Sequence, residues 1–126
     1  MNNNRRIEKV SSLLKKEISL ILMNDLNDNL ILDNFVSVTK IELSGDLQHS
    51  KIFISTSAQE ETKNLIIENL NSAKSKIRFL LSKRVKMRRI PEIVFKIDRV
   101  LDQGLAVLKV LEKLNKKNDQ SEQVNK

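Results

Sequence analysis

The period at which apolar residues recur changes several times along this chain, and those changes leave few folds open. Ile7, Val10, Leu14, Ile18 and Ile21 return at helical spacing, with Leu13 and Leu22 beside them and Arg6, Lys9 and Lys16 elsewhere. That pattern predicts an amphipathic helix of about five turns. It ends where NDLNDN begins, because Asn and Asp side chains compete for backbone hydrogen bonds and favour turns. FVSVTKIELS then switches to alternation, the spacing of a half-buried strand. Apolar parity slips between Val38 and Ile41, which predicts a bulge or an exchange of faces near Thr39 and Lys40. SGDLQHS reads as a loop, and KIFISTS as a second strand with Ile52 and Ile54 on one face.

Helical spacing returns with Leu65, Ile66, Leu70 and Ala73, then Ile77, Leu80 and Leu81, which predicts two helices broken near Asn71 to Ser75. Ile93, Phe95 and Ile97 point inward from a third strand. Pro91 has no amide hydrogen for a sheet and belongs at that strand's start or edge. Leu105, Leu108, Leu111 and Leu114 predict a last amphipathic helix, N-capped by Asp102. KKNDQSEQVNK offers no apolar face, so residues 1–115 are expected to form one domain and 116–126 a disordered polar tail. The order is helix-strand-strand-helix-helix-strand-helix. The first two strands can pair as a hairpin, while a helical crossover makes the second and third parallel. Helices on one side of three short strands leave the other sheet face polar. The expected fold class is therefore α+β, two layers, with a three-stranded mixed sheet.

Charge is distributed unevenly. Lys74 to Arg99, KSKIRFLLSKRVKMRRIPEIVFKIDR, holds ten of the 23 Lys and Arg but only two of the 16 Asp and Glu. This stretch carries +8 and the remainder −1 of the formal net +7. A concentrated patch of this kind raises the local potential and attracts polyanions, nucleic acid above all. On an ideal helix Ile77, Leu80 and Leu81 share one side, while Lys76, Phe79 and Lys83 lie away from it. The candidate RNA-binding residues are Lys74, Lys76, Arg78, Lys83, Arg84, Lys86, Arg88 and Arg89. Phe79 has two readings, a base-stacking residue on the basic side or a core residue under the first or last helix. The second is favoured, because buried Phe is common. Phe35, Phe53 and Phe95 are read as core or strand packing.

Three segments carry a resemblance to a known family. Ser44-Gly45-Asp46-Leu47 followed by Lys51-Ile52-Phe53-Ile54-Ser55 is close to a Ser-x-Asp-Leu turn and an Ala-Lys-Val run, with Ser50 in place of the Ala. Arg88-Arg89-Ile90-Pro91-Glu92-Ile93-Val94-Phe95-Lys96-Ile97-Asp98 fits Arg-x-x-Pro-x-(Leu/Ile)-x-Phe-x-x-Asp, with Ile77-Arg78 and Leu80-Leu81 upstream. Arg6-Ile7 and Glu17-Ile18 fit the first helix. In this order and at this spacing the segments resemble the ribosome-binding factor A family, bacterial assembly factors of the small ribosomal subunit with a KH-like type II domain. The resemblance spans residues 5–114. Two departures stand out: Ala73-Lys74-Ser75 where the family has Ala-x-Gly, and Asp28-Asn29-Leu30 where it has Asp-Pro-Arg.

The residues narrow the chemistry. A Gly-x-x-Gly clamp of the ordinary KH kind is excluded, since Gly45 and Gly104 are the only glycines. An aromatic stacking platform of the kind an RRM sheet presents is excluded too, with no Tyr or Trp and four Phe. Phosphate contact by Arg and Lys remains. No cysteine is present, so thiolate metal sites and cysteine nucleophiles are ruled out. His49, the sole histidine, sits in a polar loop without a second base, and no glycine-rich phosphate loop occurs. The expectation is a non-enzyme without cofactor or metal. No signal peptide or membrane-spanning run is found, which points to a cytoplasmic chain.

What the resemblance implies is an assembly factor that binds free, immature 30S subunits and their 16S rRNA; a monomer is the default expectation for its oligomeric state. The factor would support late maturation and 5′-end processing without being the nuclease, and an assembly GTPase stands as a further partner. The rival reading is a protein–protein adaptor on the ribosome, contacting ribosomal proteins or that GTPase.

Overall fold

The structure, a computed structural model, describes residues 2–100. The expected last helix with Leu105 to Leu114 and the tail 116–126 lie outside the described residues. Helix α1 (Asn2–Leu20) buries Leu14 and Ile18 and runs into a π-helical turn, Ile21–Asp25. There the Leu26 amide donates to the Ile21 carbonyl at 2.9 Å. The wider turn rotates both Ile21 and Leu22 into the core, and the chain leaves the helix for good at Asn27, with φ 53°. Helix α2 (Asn29–Asp33), a single turn absent from the sequence reading, starts on Asp28, whose carboxylate accepts from the Leu30 amide at 2.9 Å. This is an ordinary N-cap. Ile31 fills the core from it.

Strand β1 (Ser37–Leu43) pairs antiparallel with β2 (His49–Ser55), and the register shifts between Val38 and Lys40. The bulge therefore falls where apolar parity slipped. Its extra residue, Thr39, has its hydroxyl 2.6 Å from the Asp98 carboxylate, tying the middle of β1 to the end of the third strand. The hairpin turn is built by side chains. The Ser44 hydroxyl donates to Asp46 Oδ1 at 2.6 Å and accepts from the His49 amide at 3.0 Å. The Ser44 hydroxyl first, then the Gln48 amide, hold the Asp46 carboxyl below the usual carboxylate range. Positive φ in this turn falls on Leu47 (61°) rather than Gly45.

Helices α3 (Glu60–Ser72) and α4 (Lys74–Arg84) cross back to strand β3 (Glu92–Ile97), which runs parallel to β2. Sheet order is β1-β2-β3. The break between the helices falls at Ala73, in the bridge region at φ −92°, ψ 4°. Because this bend needs no left-handed residue, Ser75 can stand in the family's glycine position and simply continue α4. Asn71, on the last turn of α3, completes the free edge of β3. Its Oδ1 accepts from the Phe95 amide at 2.9 Å and its Nδ2 donates to the Phe95 carbonyl at 3.2 Å. A side-chain amide thus takes the place of a missing neighbouring strand.

Among the described residues the helices cover one sheet face only. Val38, Ile52, Ile54, Ile93, Phe95 and Ile97 are buried with Leu14, Ile18, Ile66, Leu70, Ile77 and Leu81 in one core. Ser50 lies among them and is satisfied by donating to the Glu92 carbonyl at 2.8 Å, which accommodates a hydroxyl where the family has Ala. The other face carries exposed Lys40, Glu42, Lys51 and Lys96 around Phe53, with the Lys40 ammonium 4.7 Å from that ring's centre. This is the polar face expected of three strands with helices on one side. Phe35 departs from its expected packing: it sits at φ 51° between α2 and β1 and is 76% exposed. The Asn34 carbonyl before it accepts from the Ser57 amide and hydroxyl, both at 3.2 Å, so the turn is held from the end of β2 while the ring points outward. Among the described residues no helix is long and apolar enough to cross a membrane.

Candidate RNA interface

The basic segment is a helix followed by an irregular passage, and the two present their cations differently. Ile77 and Leu81 pin α4 to the core, and Val85 closes it. At 100° per residue this turns Lys76, Phe79 and Lys83 outward, and all three are exposed. Lys83 Nζ lies 5.1 Å from the Phe79 ring centre. Phe79 itself is 59% exposed, so its expected place in the core is corrected. Leu80 and Leu81 already occupy that side, and a third large side chain on the outer face has nothing to pack beneath. Lys86, Arg88 and Arg89 follow on the passage to β3, also exposed. No acidic residue occurs between Glu68 and Glu92.

The remaining candidates are differently occupied. Arg78 is half-buried, with Nε donating to the Pro91 carbonyl at 3.1 Å and Nη2 to the Ile90 carbonyl at 2.9 Å. Its guanidinium clamps the end of the passage to α4 and so positions Arg88 and Arg89. Arg84 was expected on the free basic surface. Instead, its Nη2 lies 2.6 Å from Asp25 Oδ2 and its Nη1 3.4 Å from Glu17 Oε1. The hydrogen bond from Arg84 to Asp25 chiefly raises the Arg84 pKa, against a smaller lowering by burial. Two acids from α1 and the π-helical turn thus engage the one arginine that ends α4. The pairing joins residues 59 and 67 apart in sequence.

Lys74 lies apart from the outward row. It lines a cleft of about 570 Å³ between the N-terminal end of α4 and the turn end of the hairpin, with Lys51, Arg78, Ser44, Ser75 and Glu92. Two further cations of the segment leave it altogether: Lys96 is on the open sheet face, and Arg99 pairs with Glu60 at 2.9 Å. The basic segment is thus divided by the fold. Lys76, Lys83, Lys86, Arg88 and Arg89 form its free outer part, with no carboxylate partner among the described residues. His49, expected in a loop, opens β2 and stands exposed with Nδ1 3.2 Å from Glu92 Oε2. Among the described residues no cluster of three or more His, Asp or Glu is placed to hold a metal ion.

Fold and surface together define a two-layer α+β domain of KH-like type II order with a basic helix-to-strand passage. The family model described as ribosome-binding factor A matches residues 6–111. The ribosome-binding factor A of Prochlorococcus marinus (strain AS9601) is 64% identical over 118 residues, covering 94% of this chain and 91% of that protein. This chain belongs to the ribosome-binding factor A family. The crystal structure of ribosome-binding factor A from Thermus thermophilus shares the fold, at TM-score 0.64 and 22% identity over 74% of this chain and 97% of that one. Coordinates of the Thermus thermophilus factor, fitted into a cryo-EM map of a 30S complex, match at TM-score 0.57 and 24% identity, covering 71% and 91% of the two chains.

Proposed function

We propose that the chain is a non-catalytic binding module that docks on the 16S rRNA of immature 30S subunits in the cytoplasm. There it supports late maturation of the subunit, including processing of the rRNA 5′ end, by holding an rRNA conformation until release. The reading is supported above all by one observation: five cations, Lys76, Lys83, Lys86, Arg88 and Arg89, are exposed along α4 and the passage that follows it, without a carboxylate partner among the described residues, in a chain of the ribosome-binding factor A family. Guanidinium forks and ammonium groups without local acids are suited to phosphate, a contact that follows backbone shape and is largely blind to sequence. The fitted 30S complex of the Thermus thermophilus factor supports the same partner here. The RNA-binding unit spans residues 1–115 with 116–126 as a polar tail; one copy acts, and an assembly GTPase is a further candidate partner. Lys74 and Arg78 belong to the same interface through the cleft and the clamp, and Arg84 through its hold on the end of α4.

Sedimentation through sucrose gradients tests the reading. Lys86→Glu, Arg88→Glu and Arg89→Glu together are expected to move the protein from the 30S region to the top fractions while its melting temperature is kept. Those three side chains are exposed, so reversal costs the fold little. Unchanged sedimentation of the triple variant would show that the contact lies elsewhere, on ribosomal proteins for instance.

A further inference from the structure

We propose that Phe79 is a stacking site for one unpaired RNA base, with Lys76 and Lys83 taking phosphates on either side of it. The inference rests on the rRNA-docking reading above and adds a contact of a different kind to it. Phe79 projects from the middle of α4 with most of its ring in water, on a side where Ser75, Lys76, Ser82 and Lys83 are all exposed. Lys76 and Lys83 stand one turn before and one turn after it on the same helix face, roughly 10 Å apart along the axis. The Lys83 ammonium stands over one ring face, 5.1 Å from its centre, and Phe79 remains 59% exposed. An exposed aromatic ring between two cations, followed in sequence by three more exposed cations on the passage, combines the two elements of single-strand binding: a π-face for the base and positive charge for the backbone.

The other exposed ring shows what the alternative looks like. Phe35 is more exposed still, but it follows Asp33 and Asn34 at a turn with Asp28 nearby in sequence, and no lysine or arginine lies between Lys16 and Lys40. Charge there opposes a polyanion. A base paired within a duplex already has both faces covered by its neighbours, so the ligand is a single-stranded or bulged nucleotide rather than an A-form helix.

The chain lacks Trp and Tyr, so Phe79→Trp introduces its only strong fluorophore. Titration of this variant with a purine-rich single-stranded oligoribonucleotide is expected to quench the emission, and a hairpin duplex of equal length to leave it nearly unchanged. Phe35→Trp, the control, is expected to show no quenching with either. Phe79→Leu is expected to weaken single-strand binding roughly 5- to 150-fold, the range of one lost stacking contact, without altering the slope of log affinity against log salt. Equal affinity of Phe79→Leu and the parent chain would overturn the stack and leave the phosphate contacts standing. Equal quenching by duplex and single strand would overturn it as well, as would a Phe79→Leu variant weakened for 30S subunits but not for RNA, which would mark a protein contact. Parent protein that binds no RNA at any salt would remove the docking reading and the stack together. Phe79 is outside the core, so the melting temperature of Phe79→Leu is expected to match the parent's.

Discussion

At the scale of single residues, the segment separates cations that face solvent from cations that hold the fold. Arg84 belongs to the second kind. Replacing it by Glu puts a third carboxylate beside Glu17 and Asp25, where attraction becomes repulsion and the end of α4 loses its link to α1. Arg84→Glu is therefore expected to lower the melting temperature clearly, whereas Lys86→Glu is expected to leave it nearly unchanged; thermal denaturation followed by circular dichroism checks both. This distinction was not legible in the sequence. Arg84 sits in the same run of charges as Lys83 and Lys86, and only the fold brings acids from the first 25 residues against it. Phe79 was misread for a related reason: general preference places Phe inside, while the helical phase set by Ile77 and Leu81 places this one outside.

At the scale of elements, periodicity was the strongest guide where it lasted several residues. The bulge near Thr39 followed from the parity slip and the parallel β2–β3 pairing from the helical crossover, and the break expected between Asn71 and Ser75 falls at Ala73. Short irregular elements escaped it. The π-helical turn looks in sequence like the end of α1, and α2 is one turn hidden in a run of Asn and Asp that equally suits a loop. Asn71 also gave no sign in advance, because its role depends on where the edge strand passes. Its amide satisfies both backbone groups of Phe95, so Asn71→Ala leaves a donor and an acceptor at the edge of the core without partners. Loss of about 1–3 kcal/mol in unfolding free energy is expected, measurable by urea denaturation. A change near zero would mean that water replaces the amide at no cost.

At the scale of the whole molecule, the domain keeps its apolar surface on one side of the sheet and its free cations beyond α4. The two sides have different tasks in the function proposed: burial of the sheet's inner face with α1, α3 and α4 gives the fold, and the outer part of the basic passage is the contact surface proposed for RNA. The order of the long elements through β3 and the family were legible from one sequence because each long segment has one dominant period and the motifs sit at turns and strand ends. Which cations remain free was not, since that depends on non-local partners. Binding of the purified chain to protein-free 16S rRNA at a series of salt concentrations tests the central claim most directly. If Lys76, Lys83, Lys86, Arg88 and Arg89 each take a phosphate, log affinity is expected to fall linearly with log salt, with a slope of roughly −3.5 to −4.5. A slope near zero, or no binding at the lowest salt, would contradict the account.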